Sequence, residues 1–184
     1  MLQSLRRLFS PNPFEREGYV LYGAAVAAAR EPLWYLRLGV PDTLEGRLDM
    51  INLFSFLLLH RMTAEAGEEP RRLAQAVVDA MFADLDQTLR QMGVADTGLA
   101  RRVRRLYEAF HGRAAAYARA VALPDDGALA EALSRNVWRS ETVVSAAVAL
   151  AVAVRRERAF LATQAFSDLC RGTVKFLPAE MALA

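Results

Sequence analysis

A chain of 184 residues with 23 basic and 21 acidic side chains carries a formal charge of only +2 at pH 7, which excludes both a polycationic nucleic-acid binder and a strongly acidic protein. Its single cysteine, Cys170, excludes an intramolecular disulfide and fits a reducing cytoplasm. Hydrophobic residues make up 54% of a length that buries roughly 70% of the unfolded surface, so a core is expected that needs no disulfide or metal staple.

The abundance of Ala, Leu and Arg and the near absence of β-branched alternation predict an all-α fold. The expected form is a single compact multi-helix domain over residues 14–184, preceded by an N-terminal basic amphipathic tip over 1–13. Lys175 is the sole lysine, an Arg bias that fits a GC-rich bacterial genome. In the tip, Leu2, Leu5, Leu8 and Phe9 recur at helical spacing beside Arg6 and Arg7 until Pro11 and Pro13 end the element. Such a tip suits an anionic membrane surface or docking on its own domain.

Helical periodicity from Phe14 to Arg30 places Tyr19, Tyr22 and Val26 on one side, and Pro32 breaks it. A short turn through Trp34, Tyr35 and Leu38 follows. The aromatic residues suit a recognition surface as well as packing. Gly39-Val40-Pro41-Asp42-Thr43-Leu44-Glu45-Gly46-Arg47 then reads as a hinge between helices. Gly39 supplies the positive φ that closes a helix, Pro41 cannot continue it, and Asp42 with Glu45 has capping-box spacing. The helix that follows, about 44–62, is apolar on nearly every face and is the expected centre of the core.

After Gly67 and Pro70, Leu73, Val77, Met81, Leu85, Leu89 and Met92 step by three and four into a long amphipathic helix ended by Gly93. Asp79, Asp84 and Asp86 lie on what reads as its solvated face. The hinge chemistry then recurs, Gly39-Val40-Pro41-Asp42-Thr43 being echoed by Gly93-Val94-Ala95-Asp96-Thr97. The next helix, about Thr97 to Val121, carries four arginines within five residues, Arg101, Arg102, Arg104 and Arg105, a density that suits either a solvated face or an anionic partner such as a lipid headgroup or ribosomal RNA. Gly112, costly in mid-helix, predicts close approach of another helix. Beyond a loop at Pro124–Gly127, with Asp126 as its cap, a short helix from Ala128 to about Arg135 and one long helix from Glu141 to Cys170 are expected.

Chemistry is sparse. His60 and His111 lie on different helices without a carboxylate at ligand spacing, Cys170 has no adjacent base, and no glycine-rich phosphate loop follows a strand. The sequence therefore predicts no enzyme, no metal site and no cofactor. The longest apolar runs, Leu48 to Leu59 and Val143 to Val154, fall short of the roughly 20 residues needed to span a membrane. The N-terminus lacks a secretory pattern. A cytoplasmic protein is expected, with peripheral placement on the inner membrane as the extension of that reading.

Several of these segments together resemble the ubiquinol–cytochrome c chaperone family. The carriers are Leu21-Tyr22, Ala29-Arg30 and Tyr35, the hinge from Gly39 to Arg47, Asp79-Ala80-Met81-Phe82-Ala83-Asp84-Leu85-Asp86, Leu89 to Asp96, Phe110-His111-Gly112-Arg113 through Tyr117, and Arg135-Asn136. The resemblance departs at His111, where family members often carry an aromatic, and at Arg101 and Arg102, where they carry lysines. It fades beyond about Val143. It implies a non-enzymatic assembly chaperone for respiratory complex III that binds newly made cytochrome b and holds no redox cofactor of its own. The family's mitochondrial members also act near the ribosome, and the missing long targeting extension points to a bacterial member. Nascent cytochrome b is the expected partner, with the ribosome, a membrane surface, and a second small assembly subunit or a second copy of the chain as further candidates, and no specific DNA.

A client rich in membrane helices calls for an apolar groove with a charged rim. The expected rim is Arg30, Asp42, Glu45, Arg47 and Arg113, extended by Arg101, Arg102, Arg104 and Arg105. Tyr22, Tyr35, Thr43, Asp96, Tyr117 and Asn136 complete the expected client-binding set. Asp42 and Glu45 have a competing capping role, and Arg47, disfavoured by the dipole at a helix start, is expected to pair with Asp96 or another acid. The alternative from a different class is an all-α nucleic-acid- or ligand-responsive regulator reading DNA with the Arg101–Arg105 helix, although the helix before the Gly93 corner is too long for the compact motif. A structural membrane-peripheral protein is a third reading.

Overall fold

The computed structural model describes residues 12–93 and 96–184, the side chains of Asp96 and Thr97 excepted. The expected amphipathic tip falls almost entirely on residues 1–11, and the Val94–Ala95 part of the second corner with them, outside the described residues. Nine helices and no strand are found among the described residues: α1 (Glu15–Ala29), α2 (Pro32–Leu38), α3 (Leu44–Thr63), α4 (Glu68–Gln91), α5 (Asp96–Val121), α6 (Gly127–Val137), α7 (Ser145–Ala162), α8 (Phe166–Cys170) and α9 (Ala179–Leu183). The fold is all-α.

Helix α3 is the centre, as its composition predicts. Every residue from Asp49 to Leu58 is buried, because α1, α4, α5, α6 and α7 all pack against it. Each buried Leu, Ile, Met or Phe there contributes about 1.5–3 kcal/mol over an exposed one. The hinge that starts α3 closes α2 with Gly39 at φ 62°, a left-handed conformation that glycine adopts without strain. The N-cap is Thr43, whose Oγ1 accepts the Gly46 N–H at 3.1 Å. This corrects the expectation of an Asp42–Glu45 capping box: Asp42 accepts from Arg47 instead. Gly46 is the residue the turn cannot replace, since a Cβ there would stand 2.0 Å from the Pro41 carbonyl oxygen.

Helices α1 and α4 lie side by side, and at Gly18 a Cβ would meet the Ala76 backbone at 2.6 Å. Gly112 does the opposite of what its mid-helix position predicts: it is exposed, and a Cβ there would meet nothing within 4 Å. The carbonyls left free at the end of α1 are taken by two aromatics of α2, Trp34 Nε1 on Ala28 O (2.9 Å) and Tyr35 Oη on Ala29 O (3.0 Å). At the α5–α6 loop, Asp126 pairs with Arg155 of α7 rather than capping, and Arg155 also donates to the Leu123 carbonyl at 2.8 Å.

The expected single helix from Glu141 to Cys170 is two helices with an extended lead-in. Residues before Ser145 are held in a turn by the Ser140 hydroxyl, and the Val144 N–H donates to Ser134 Oγ at 3.1 Å. Where α7 stops at Ala162, Arg61 of α3 takes the Leu161 and Gln164 carbonyls (3.1 and 2.9 Å), while the Gln164 carboxamide pairs with both backbone groups of Lys175 (2.7 and 2.9 Å). The C-terminal segment is strapped down in the same manner. Leu177 N–H donates to Glu157 Oε1 (2.6 Å), Ala179 N–H to Glu31 Oε2 (2.8 Å), and Phe176 packs edge-on against Phe54.

Candidate functional site

The hinge, the start of α3, the second half of α4 and the first half of α5 enclose a groove of about 280 Å³. Its floor is apolar: Leu44, Leu48 and Ile51 from α3, Leu85 and Leu89 from α4 with Met92 just past its end, and Leu106 from α5. Leu44 and Met92 remain 52% and 53% exposed at its mouth. The rim is charged, with Arg30 at the end of α1, Glu45 and Arg47 in the first turn of α3, Asp84 on α4 and Arg102 on α5. Arg30 also borders two neighbouring recesses, one with Tyr35, Leu36, Asp42 and Arg47 and one with Tyr19, Tyr22, Val26 and Asp84.

Parts of the rim are fixed. Arg47 Nε donates to Asp42 Oδ1 at 2.6 Å, and that hydrogen bond holds the Asp42 carboxyl below its ordinary value and raises the guanidinium. Arg47 thus finds an acid of its own hinge; the expected partner Asp96 has its side chain outside the described residues. Tyr22 is buried, and its hydroxyl donates to Asp84 Oδ2 at 2.9 Å. Burial foremost, then the Asp84 charge, pushes the Tyr22 phenol well above its ordinary value. Asp84 is therefore not merely part of a solvated face, whereas Asp79 and Asp86 hydrogen-bond along α4 to Gln75 (2.8 Å) and Arg90 (2.7 Å). Arg30 and Arg102 make no ion pair among the described residues.

Of the residues expected to meet a client, Tyr22, Arg30, Tyr35, Asp42, Glu45, Arg47 and Arg102 come together around the groove and the recess beside it. Thr43 lies at its edge with its hydroxyl engaged as the cap. Arg101, Arg104 and Arg105 are exposed on α5 but line no part of the groove, and Arg104 pairs along its helix with Glu108 at 2.9 Å. Tyr117 is corrected from a surface to a core residue: it is 1% exposed and its ring packs on Phe56. Asn136 is half-buried at the end of α6, its carbonyl accepting from Arg139.

Arg113 points to a residue that sequence reasoning missed. Its guanidinium meets Asp49 at 2.7 Å, and Arg139 meets the other carboxylate oxygen at 2.6 Å. Asp49 is 2% exposed. Burial raises its carboxyl, opposed by the charges of Arg113 and Arg139. The signal was a lone acid inside an apolar helix, a position an acid occupies only when paired. Arg139 holds φ 57° just past the end of α6, where the Ser140 N–H closes back on the Ser134 carbonyl at 3.0 Å, a conformation of about 1–3 kcal/mol strain for a residue with a Cβ.

His60 packs edge-on against Phe56, and burial followed by the Arg158 charge lowers its imidazole. Among the described residues no cluster of His, Cys, Asp and Glu could hold a metal ion, and no helix is long and apolar enough to cross a membrane.

The family model for the ubiquinol-cytochrome C chaperone matches residues 36–176. The chain belongs to the ubiquinol–cytochrome c chaperone family. The fold is similar to the crystal structure of the Cbp3 homolog from Brucella abortus, with 34% identity and a TM-score of 0.81 over 98% of each chain. No curated protein sequence matches the chain. In this chaperone the family-matched span holds the hinge, the whole groove floor and Arg102, and the structural match extends to the wall that Tyr22 and Arg30 contribute from α1.

Proposed function

We propose that this family member is a non-enzymatic assembly chaperone that binds newly made cytochrome b and supports assembly of the ubiquinol–cytochrome c reductase complex, with the α1–α3–α4–α5 groove as its client surface. The observation that carries the reading is the pairing of an apolar floor, exposed at its mouth, with a charged rim of which Glu45, Arg47, Asp84 and Arg102 lie inside the family-matched span. A client made of membrane helices presents apolar stretches bounded by short charged loops, and this surface complements both. In this reading the protein works at the cytoplasmic side of the inner membrane, and the exposed Arg101 and Arg105 are available to an anionic partner, ribosomal or lipid.

The test places a photo-crosslinking amino acid at Met92, in the groove mouth, or at Val148, exposed on α7 outside the groove. Adducts with newly made cytochrome b from Met92 and not from Val148 support the reading. Adducts from Val148 alone overturn the placement, and unchanged cytochrome b and haem in membranes of a deletion strain overturn the chaperone role for this client.

A further inference from the structure

The groove does not end at its apolar floor. Glu45, Leu48, Leu85 and Leu106 are shared with an inner recess of about 110 Å³ between α3, α4 and α5, room for several waters. Its back wall is polar. Asp49 holds Arg113 and Arg139 there, and Asn52, nearly one turn further along α3, lines the same space. Asn52 is 5% exposed overall, yet the polar atoms of its carboxamide are not sealed from solvent, and the amide has no hydrogen-bond partner among the described residues.

A carboxamide carries two donors and an acceptor with two lone pairs, and a buried polar group in a folded protein normally has a partner. The Asn52 amide therefore opens into the recess with its bonding capacity free for whatever fills that space. The charges lining the recess indicate its chemistry, since Asp49 and Glu45 balance Arg113 and Arg139. An entering ion gains little net attraction there and gives up its hydration. What stays unused is hydrogen-bonding capacity: the Asn52 amide and the guanidinium N–H groups not engaged by Asp49 and the Asn136 carbonyl.

We propose that this recess receives one uncharged hydrogen-bonding side chain, an amide or a hydroxyl, projecting from the apolar client segment that lies in the groove. The inference rests on the groove being the client surface. A segment bound for the membrane interior carries few polar side chains, and each one left unpaired against the leucine floor weakens binding. The recess turns that penalty into selection, so that the chaperone prefers apolar helices with an isolated polar residue over uniformly apolar ones.

Labelled helical peptides of about 18 residues, five turns, test this by fluorescence anisotropy with the full-length protein. Their apolar stripes carry Leu, Gln or Glu at the central position. The wild type should bind the Gln peptide about tenfold more tightly than the Leu peptide. Asn52→Leu should abolish that preference while still binding the Leu peptide, and Asn52→Ala gives the same readout should Leu not be accommodated. Equal binding of the Gln and Leu peptides by the wild type, a preference that survives both variants, or tighter binding of Glu than Gln overturns the proposal. Wild-type protein that binds none of the peptides removes the groove as client surface, and the recess with it.

Discussion

Glu157 makes the stability of this chaperone pH-dependent near neutrality, and Glu157→Gln should remove that dependence. The carboxyl is 1% exposed on α7, gives one oxygen to the Leu177 N–H at 2.6 Å, and leaves Oε2 without a partner. Burial, reinforced by the nearby Glu31 charge and opposed by the Leu177 hydrogen bond, raises it from 4.5 to about 7. A carboxyl whose folded value is raised contributes stability that is complete below its unfolded value and is lost as pH climbs through the folded one. With about 1.4 kcal/mol per unit, the loss between acid and pH 8 is about 3 kcal/mol. Glutamine keeps the acceptor for Leu177 without the charge. Urea titrations should therefore show the variant ahead of wild type by less than about 1 kcal/mol at pH 5 and by about 3 kcal/mol at pH 8. In thermal melts the pH 8 gap is roughly 6–12 °C for a chain of this size. A gap that does not change with pH, or a wild type more stable than the variant at pH 8, refutes the reasoning.

Two further predictions concern the hinge and the paired acid of α3. Thr43→Ala should cost about 1 kcal/mol in urea unfolding as the loss of the α3 cap, whereas Asp42→Ala, which breaks only an exposed ion pair, should leave the melting temperature unmoved; the reverse ranking would restore Asp42 as the cap. Asp49→Leu leaves two arginines without their carboxylate, and because Arg113 and Arg139 reach solvent in part, the expected cost is about 2–3 kcal/mol, below that of a fully buried pair, read by the same titration.

The parts of this fold legible in the sequence are those decided by neighbours along the chain. Gly39 and Pro41 stop α2, and the three-and-four spacing from Leu73 to Met92 marks one face of α4, because both are properties of a few consecutive residues. Features set across the fold were not legible. The turn that ends α7 at Ala162 is held by Arg61, about a hundred residues earlier, on the Leu161 and Gln164 carbonyls. Gly46 and Gly112 look alike in a sequence, and only the path of the backbone tells which one has a carbonyl against it. The same holds at the candidate site. Rim residues that cluster along the chain do come together, Glu45 and Arg47 at the groove and Asp42 in the recess beside it. Tyr117, placed in the client set by the segment it belongs to, turns inward because α5 directs that position against Phe56. Asp49 went unread because its partners come from α5 and the end of α6.

The way the groove is held bears on how it can bind. Its floor is drawn in equal part from the α4 segment and from α3, the most buried helix, so part of the apolar surface offered to a client is anchored in the core. Two rim contacts, Arg47 on Asp42 and Tyr22 on Asp84, fix the walls before anything binds. Side chains already ordered lose less entropy on association, which favours affinity without added area. Arg30 and Arg102 form no such pair among the described residues, and they reach the rim from the end of α1 and from α5. A rigid apolar bed between two uncommitted guanidiniums lets one surface take apolar segments of differing flanks, the arginines adjusting to whichever acidic group or carbonyl lies nearby. Selectivity in such a design has to come from inside the groove rather than from its rim, which is the part the proposed use of the Asn52 recess would play.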